Sequence, residues 1–410
     1  MKSLESKEAI ADSAAAIGKI DALFASVGMK PGRRATLKGS WSQGERIPRK
    51  VREAKKLREK AKSTGKAVKG TAKSAGKLGG KPAQKTPKLP QIDTVFDGKL
   101  HGVKHVVHGF STRAGGRSRV YRPWLAKSDG DLNLSWTKED DPKLVAKNRK
   151  LFLESVAQSS AAKKNPASGK SAAALKLVTL RQSHSPIVQV IEKGSGKNKY
   201  IVSGKAYSAL ATADGRAVLR GDGVMTDVPG LLLGIQTADC IPILMHDPKS
   251  GAVAALHAGW RPTLARIAER AVGRMRLQYG SNPKNLIAAI GPGIGPCCYA
   301  IGEEVRYEFE SQFAYWKELF TEVFDEDPVR TKYPLLFLTA RAPGHSPIGP
   351  QTHLNLWEAN RRQLLDAGLL AKNIKVTGLC TACNTERFFS HRTERGFTGR
   401  MLNVVGACAP

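Results

Sequence analysis

No apolar run in the 410 residues approaches the roughly 18 that a spanning helix needs, so no membrane-spanning helix is expected. No charged segment followed by a short apolar core opens the chain, so classical export is not expected and a cytoplasmic protein is. Cysteine is scarce. The six are Cys240, Cys297, Cys298, Cys380, Cys383 and Cys408, too few at this length for a disulfide framework. Thiols in such a chain are expected to be buried, metal-binding or catalytic. Several metal signatures are missing. The HxE of zinc nucleobase deaminases does not occur, nor does the HExxH of zinc proteases. No HxH pair occurs, so the histidine-rich ligand set of a three-domain multicopper oxidase is lacking.

Acidic residues are also few, 35 against 66 Lys+Arg, for a net charge of +31. The excess is uneven. Residues 31–90 hold 19 Lys+Arg against three Glu, whereas residues 1–30 are balanced. Phe24 and Trp41 are the only aromatics before residue 90, and the text from Arg46 to Lys88 is mostly Lys, Ala, Gly, Ser, Thr and Pro. Such a segment cannot bury enough apolar surface to offset its ordering entropy. Residues 1–92 are therefore read as a disordered basic arm, with a short helix near EAIADSAAAIGKIDALFASV. A solvated tail and electrostatic adhesion to RNA, DNA or an acidic surface are both open for it. Organelle targeting is disfavoured by Glu5, Glu8, Asp12 and Asp21.

From residue 93 onward short apolar runs alternate with Gly, Asp, Asn and Pro, and strand and helix patterns mix to the end. This predicts one α+β domain over 93–410. Strands are expected at VKHVVHGFSTR, on both sides of RQSHS, at GLLLGIQTADCIPILMHD, GAVAALHAGW, LIAAIG and IKVTGLC. Helices are expected at PKLVAKNRKLFLESVA, opened by Asp140 or Asp141, and at RPTLARIAERAVGRMRLQY, with Thr263 as cap. Two more are expected at IGEEVRYEFESQF and NLWEANRRQLLDAGL. SSAAKKNPASGKSAAA, EKGSGKNK and TARAPGHSPIGPQ read as loop insertions.

Three segments put a metal-type ligand at the end of an apolar strand: His184 in RQSH, Cys240 in TADC and His257 in LHAGWR. Sixteen residues separate Cys240 from His257, enough for a hairpin that brings the two together. One Cys and two His suit tetrahedral zinc with one open position, the catalytic rather than the structural arrangement. Asp239 is placed to support that site or to serve as general acid/base. Spacing alone leaves open that Cys240 is a buried strand residue and the histidines are hydrogen-bonded loop residues. CTAC, Cys380 to Cys383, lacks the second CxxC of a zinc ribbon and reads as loop cysteines or a redox pair. Cys297 and Cys298 sit in GPGIGPCCYAIG, either a rigid turn or a loop whose backbone approaches a ligand. GKS at Gly169–Ser171 is not a P-loop, since Lys164 stands where its first Gly belongs and no strand precedes it. Arg113, Arg261, Arg392, Arg395 and Arg400 fall in polar loop motifs, as surface charge or as an anion site.

Taken together, HGFSTRAGG, DLNLSW, QSHS, GDGVMTDVPGLLLGIQTADCIPIL, AALHAGWR, AIGPGIGPCCYAIGEEV, LNLWEANRRQLLDAG and CTACN…FFSHRTERGFTGR occur in a familiar order. The chain resembles the purine nucleoside phosphorylase and adenosine deaminase family formerly called polyphenol oxidoreductase or laccase-domain proteins, over roughly residues 100–405. SWTKED departs from the Gly/His-rich stretch usual after DLNL. The resemblance implies a four-layer α/β/β/α sandwich with mixed sheets. It implies zinc, with copper as the alternative, on His184, Cys240 and His257. It implies phosphorolysis of adenosine, inosine or methylthioadenosine and deamination of adenosine to inosine, with purine nucleosides and phosphate as partners. In that reading Cys240, Asp239 and His257 are catalytic, Asp239 shuttling a proton, and Arg113, Gln182 and Arg261 contact substrate. Three rivals remain: a copper-dependent polyphenol oxidase; a metal-free cysteine hydrolase or amidase acting on peptidoglycan precursors, with Cys240 as nucleophile and His257 as base; and a nucleic-acid-binding protein led by its basic arm.

Overall fold

Residues 92–103, 105–125, 129–159, 175–323 and 351–407 are described by the computed structural model. Residues 1–91 of the expected arm, the insertions around 160–174 and 339–350, and Cys408 lie outside them. Chain order runs β1 (Thr94–Val95), α1 (Gly98–His101), β2 (Val106–Ser111), α2 (Pro142–Ser159), β3 (Lys176–Thr179), β4 (Val188–Ser195), β5 (Asn198–Val202), β6 (Lys205–Tyr207), β7 (Gly223–Thr226) and β8 (Leu231–Thr237). It continues through β9 (Ile241–His246), β10 (Val253–Ala258), α3 (Trp260–Leu264), α4 (Ile267–Tyr279), β11 (Ile287–Ile290), α5 (Glu303–Gln312), β12 (Phe320–Val323), β13 (Gln351–Leu354), α6 (Leu356–Asp366), β14 (Ile374–Val376) and β15 (Met401–Ala407).

One sheet has the order β1-β2-β15-β8-β3, a larger one β14-β11-β9-β10-β7-β4-β5-β6, and β12 pairs with β13 apart from both. Both large sheets are mixed: β3 runs parallel to β8, β4 to β7 and β11 to β14, among antiparallel neighbours. Strand alternation shows why they stack. Successive side chains point to opposite faces, and here both faces are apolar. On β8, Leu231, Leu233 and Ile235 enter the core between the sheets, while Leu232 turns outward to meet Phe152 and Val156 of α2. On β10, Val253 and Ala255 face the inter-sheet core, while Ala254, Leu256 and Ala258 pack beneath Ile267, Ala271 and Met275 of α4 and Leu364 of α6. A sheet apolar on both faces must be covered on both. The fold is thus the expected α+β, four-layer α/β/β/α sandwich. Among the described residues no helix is long and apolar enough to cross a membrane.

Three local expectations change. RPTLARIAERAVGRMRLQY is not one helix but α3 and α4, broken at Arg266, which takes a left-handed φ of 60°. Thr263 caps neither; it is buried inside α3, where its hydroxyl accepts from Asn360 Nδ2 at 3.0 Å and its carbonyl from Gln363 Nε2 at 2.7 Å. EKGSGKNK is a hairpin rather than an insertion, since β4 and β5 pair through it with Gly196 at φ 58° supplying the turn. Of the two candidate caps for α2, Asp141 serves, its Oδ1 accepting from Lys143 N at 2.8 Å.

Candidate metal centre

The donors converge because three neighbouring strands begin or end at one rim of the larger sheet. Cys240 immediately precedes β9. His257 lies on β10 and pairs across the hairpin with Pro242. The same register sets Leu256 opposite Gly223 of β7, so Asp222 falls opposite His257, and His257 N donates to Asp222 O at 2.7 Å. His184 arrives from the other sheet, just after β3. The loop that carries it closes on Asp222, whose carboxylate accepts from the backbone N–H groups of Ser183, His184 and Ser185 at 2.7–3.1 Å and from the Ser185 hydroxyl at 2.8 Å.

Ligand atoms of His184, Cys240 and His257 all lie within 4.8 Å of one another, with Cys240 Sγ 3.8 Å from His184 Nε2. A tetrahedral ion with Zn–S near 2.3 Å and Zn–N near 2.0 Å would hold S and N about 3.5 Å apart. The donors therefore fit such an ion. His257 gives its Nδ1 to Asp222 Oδ1 at 2.8 Å, which leaves Nε2 as its ligand atom. Space is tight. A Cβ on Gly259 would stand 2.8 Å from Cys240 Sγ and 3.1 Å from His184 Cδ2, so the glycine of HAGW is what admits both ligands. His184 and Asp239 have left-handed φ angles of 56° and 89°. Backbone strain at non-glycine residues beside a site persists only where surrounding contacts over-determine it.

Electrostatics couple the same groups. Burial raises the Cys240 thiol, but His257 and His184 outweigh it and bring it down to about 6. Burial also disfavours charge on His257, yet Cys240 and Asp222 raise it to about 9. Asp222 is held well below the carboxylate range, since its burial is overcome by His257 and by the Ser185 N–H. Without metal, the pair is a thiolate beside an imidazolium, an arrangement ready to exchange protons for a cation.

The cleft over these donors has a volume of about 600 Å³. His184, Cys240 and His257 line it together with Trp136, Arg181, Gln182, Arg216, Gln236, His391 and Arg400. Of the residues expected to contact substrate, Gln182 is at the wall, but its amide bridges the Gln236 backbone, donating to O and accepting from N at 2.8 Å each. Arg113 is elsewhere. It is 1% exposed, pairs with Asp131 and Glu394, and donates to the Thr385 carbonyl at 2.7 Å. A guanidinium so engaged organises the loops around it. Arg261 stacks on the Trp260 ring at 4.2 Å and does not line the cleft. Asp239 does not line it either: its two oxygens are taken by Thr381 Oγ1 and Arg392 N, each at 2.6 Å. The cleft's cations are instead Arg181, Arg216 and Arg400.

Asp222 escaped sequence reasoning, although it stands in the GDGVMTD motif. It lies 35 residues from His257, and only the β7–β10 register makes them neighbours.

Fold and donors define a layered α+β protein with a one-cysteine, two-histidine centre at the rim between its sheets. The chain belongs to the multi-copper polyphenol oxidoreductase laccase family, whose model matches residues 107–408. It is 32% identical over 303 residues to a purine nucleoside phosphorylase of Deinococcus radiodurans, covering 73% of this chain and 89% of that one. It is 33% identical over 229 residues to adenosine deaminase RL5 from an unknown prokaryotic organism, covering 54% and 74%. The crystal structure of YlmD from Geobacillus stearothermophilus superposes with a TM-score of 0.54 at 29% identity, covering 75% and 93%.

Proposed function

We propose that this chain is a zinc-dependent purine nucleoside enzyme, which cleaves the glycosidic bond of adenosine, inosine or methylthioadenosine with phosphate and deaminates adenosine to inosine. The activity is assigned to residues 93–410, with the basic residues 1–92 outside it. The observation that carries the reading is the joining of two features in one cleft: the donor set His184, Cys240 and His257, and a wall bearing Arg181, Arg216 and Arg400. Relatives named purine nucleoside phosphorylase and adenosine deaminase supply the substrate class. A cleft of about 600 Å³ is within the range of small-molecule sites.

Zinc held by His184, Cys240 and His257 would supply Lewis acidity. The protein does the rest. Asp222 fixes the ring and tautomer of His257 and, through three backbone N–H groups, the loop of His184. Arg181 donates through Nε to Ala217 O, Arg216 pairs through Nε with Asp214, and Arg400 donates through Nη1 to the Thr398 and Gly399 carbonyls; their remaining guanidinium N–H groups are the donors for a phosphate dianion, holding it for attack on the anomeric carbon. Trp136 lines the same cleft and positions Arg216, whose guanidinium lies 5.4 Å from its ring centroid. His391 lines the same cleft, where an imidazole can carry a proton to or from a purine ring nitrogen. Asp239 is a positioning residue, holding the turn before Cys240 through Thr381 and Arg392.

The test is to incubate the full chain, with its metal content measured, with adenosine in the presence and absence of phosphate. Adenine formed only with phosphate, or inosine formed without it, supports the reading. Neither product from zinc-loaded protein contradicts it.

One observation favours a second reading. Cys240, His257 and Asp222 form a thiolate–imidazolium–carboxylate series like that of a cysteine hydrolase. Acyl adduct formation on Cys240 in metal-free protein would support it.

A further inference from the structure

The two cysteine motifs with no role above meet in space. β11 and β14 run parallel at one edge of the larger sheet, Ile290 opposite Val376. The loops that follow continue side by side. Gly293 bridges to Cys380, accepts from Thr381 N at 3.0 Å and donates to Leu379 O at 3.2 Å. This brings Cys297 and Cys298 of GPGIGPCC against Cys380 and Cys383 of CTAC. All four sulfurs lie within 4.8 Å of one another, and Cys383 Sγ is 3.4 Å from both Cys297 Sγ and Cys298 Sγ.

We propose that Cys297, Cys298, Cys380 and Cys383 form a second metal site, a closed four-thiolate site for zinc, separate from the His184–Cys240–His257 centre. Tetrahedral zinc with Zn–S bonds near 2.3 Å would place its sulfurs about 3.8 Å apart, a small relaxation from the observed spacing. The surroundings are those of a thiolate site. Gly295 N–H donates to Cys380 Sγ at 3.2 Å. Amide donors of this kind offset thiolate charge around a bound ion. A divalent cation would bind the four cysteines as thiolates, releasing their protons. Cys383 lies equally near both members of the 297–298 pair, so the arrangement singles out no one disulfide partner and suits four bonds to one centre.

Four cysteines leave no open position, which makes the site structural. Its position suggests what it holds. Thr381, between the two cysteines of CTAC, donates to Asp239 Oδ1 at 2.6 Å. Asp239 keeps a φ of 89° immediately before Cys240. The second ion would therefore clamp the loop that secures the strained turn beside the first.

The experiment uses the full chain purified under reducing conditions, with zinc per chain measured for wild type, Cys383→Ser and His184→Ala. The expected result is about two equivalents in wild type and about one in each variant. Cobalt substitution keeps the measurement decisive if a variant folds poorly. Intense thiolate-to-cobalt charge-transfer bands should persist in His184→Ala and fall in Cys383→Ser to the weaker band of the single Cys240 thiolate. Native alkylation mapped by mass spectrometry should find Cys297, Cys298, Cys380 and Cys383 protected until a chelator is added. One equivalent in wild type, together with equal alkylation of the four thiols with and without chelator, would overturn the proposal. So would an intact mass lacking two hydrogens in reduced, metal-supplemented protein, which would mark a disulfide instead. Because His184→Ala removes only the other centre, failure there and failure here are distinguishable.

Discussion

Asp222 and His257 face each other across β7 and β10, joined twice: His257 Nδ1 lies 2.8 Å from Asp222 Oδ1, and His257 N donates to Asp222 O at 2.7 Å. One carboxylate therefore sets the orientation of a histidine on one sheet and, through the N–H groups of residues 183–185, the loop carrying the other histidine from the second sheet. It touches two of the three candidate ligands without being one.

Asp222→Asn should keep the fold and weaken metal binding by about 10- to 100-fold, the usual cost of losing a carboxylate behind a histidine ligand. Competition against a chromogenic chelator measures it. Wild-type affinity in the variant would show that the contact does not orient the ligand.

Gly259→Ala tests the crowding at the centre. Gly259 has a φ of −70°, which alanine adopts freely, so backbone conformation is not at issue. The added Cβ, 2.8 Å from Cys240 Sγ, must displace the thiol or the His184 ring. Metal affinity should fall at least about tenfold while the metal-free protein melts within a few degrees of wild type. Unchanged affinity would mean that the ligands have room to move.

Asp239→Asn separates positioning from proton transfer. Asparagine keeps an acceptor for Thr381 or Arg392 but cannot titrate. Turnover should fall while the pH–rate profile keeps its shape, because the carboxylate is committed to Thr381 and Arg392 and does not line the cleft. Loss of one limb of the profile would restore the proton shuttle expected from its place beside Cys240.

Acid stability should report on His108, on β2 and not among the candidate ligands. Burial, then the charge of His101, pushes His108 down to about 4, and its Nε2 accepts from Asp97 N at 2.9 Å, which requires that nitrogen unprotonated. Its folded pKa lies below the unfolded value near 6.5, so the unfolded chain binds more protons between the two. The stabilisation is complete above about pH 6.5 and is lost as pH falls towards 4, on the order of 3 kcal/mol in all. Denaturant unfolding of wild type and His108→Gln should give a stability gap that moves by about this amount between pH 7 and pH 4. A pH-independent gap would contradict it.

Much of the fold was legible in the sequence because its strands are short apolar runs with turn residues between them, as at β8, β9 and β10. The layering came from the family resemblance; a strand buried on both faces carries no alternation to show which sheet it joins. Helix α2 was legible from its amphipathic spacing, whereas the break at Arg266 was not, since it depends on Asn360 and Gln363 reaching Thr263 from α6. His184, Cys240 and His257 could be named because each ends a strand in a specific motif. Asp222 and the cleft arginines could not, because strand register and loop path bring them there. Arg113 looked like an anion site in a polar loop motif, but its neighbours Asp131 and Glu394 are set by tertiary contacts. The four-cysteine cluster was half visible: CTAC lacked a second CxxC because its partners are adjacent in sequence, on the loop after a parallel strand.

The central claim is that one ion on His184, Cys240 and His257 is required for nucleoside turnover. The direct test is to strip the full chain of metal, titrate zinc back, and follow adenosine consumption with phosphate present, in wild type and Cys240→Ala. Activity should rise with zinc occupancy in wild type and be absent from Cys240→Ala at every zinc level. Undiminished turnover in metal-free wild type, or in Cys240→Ala, would contradict the account.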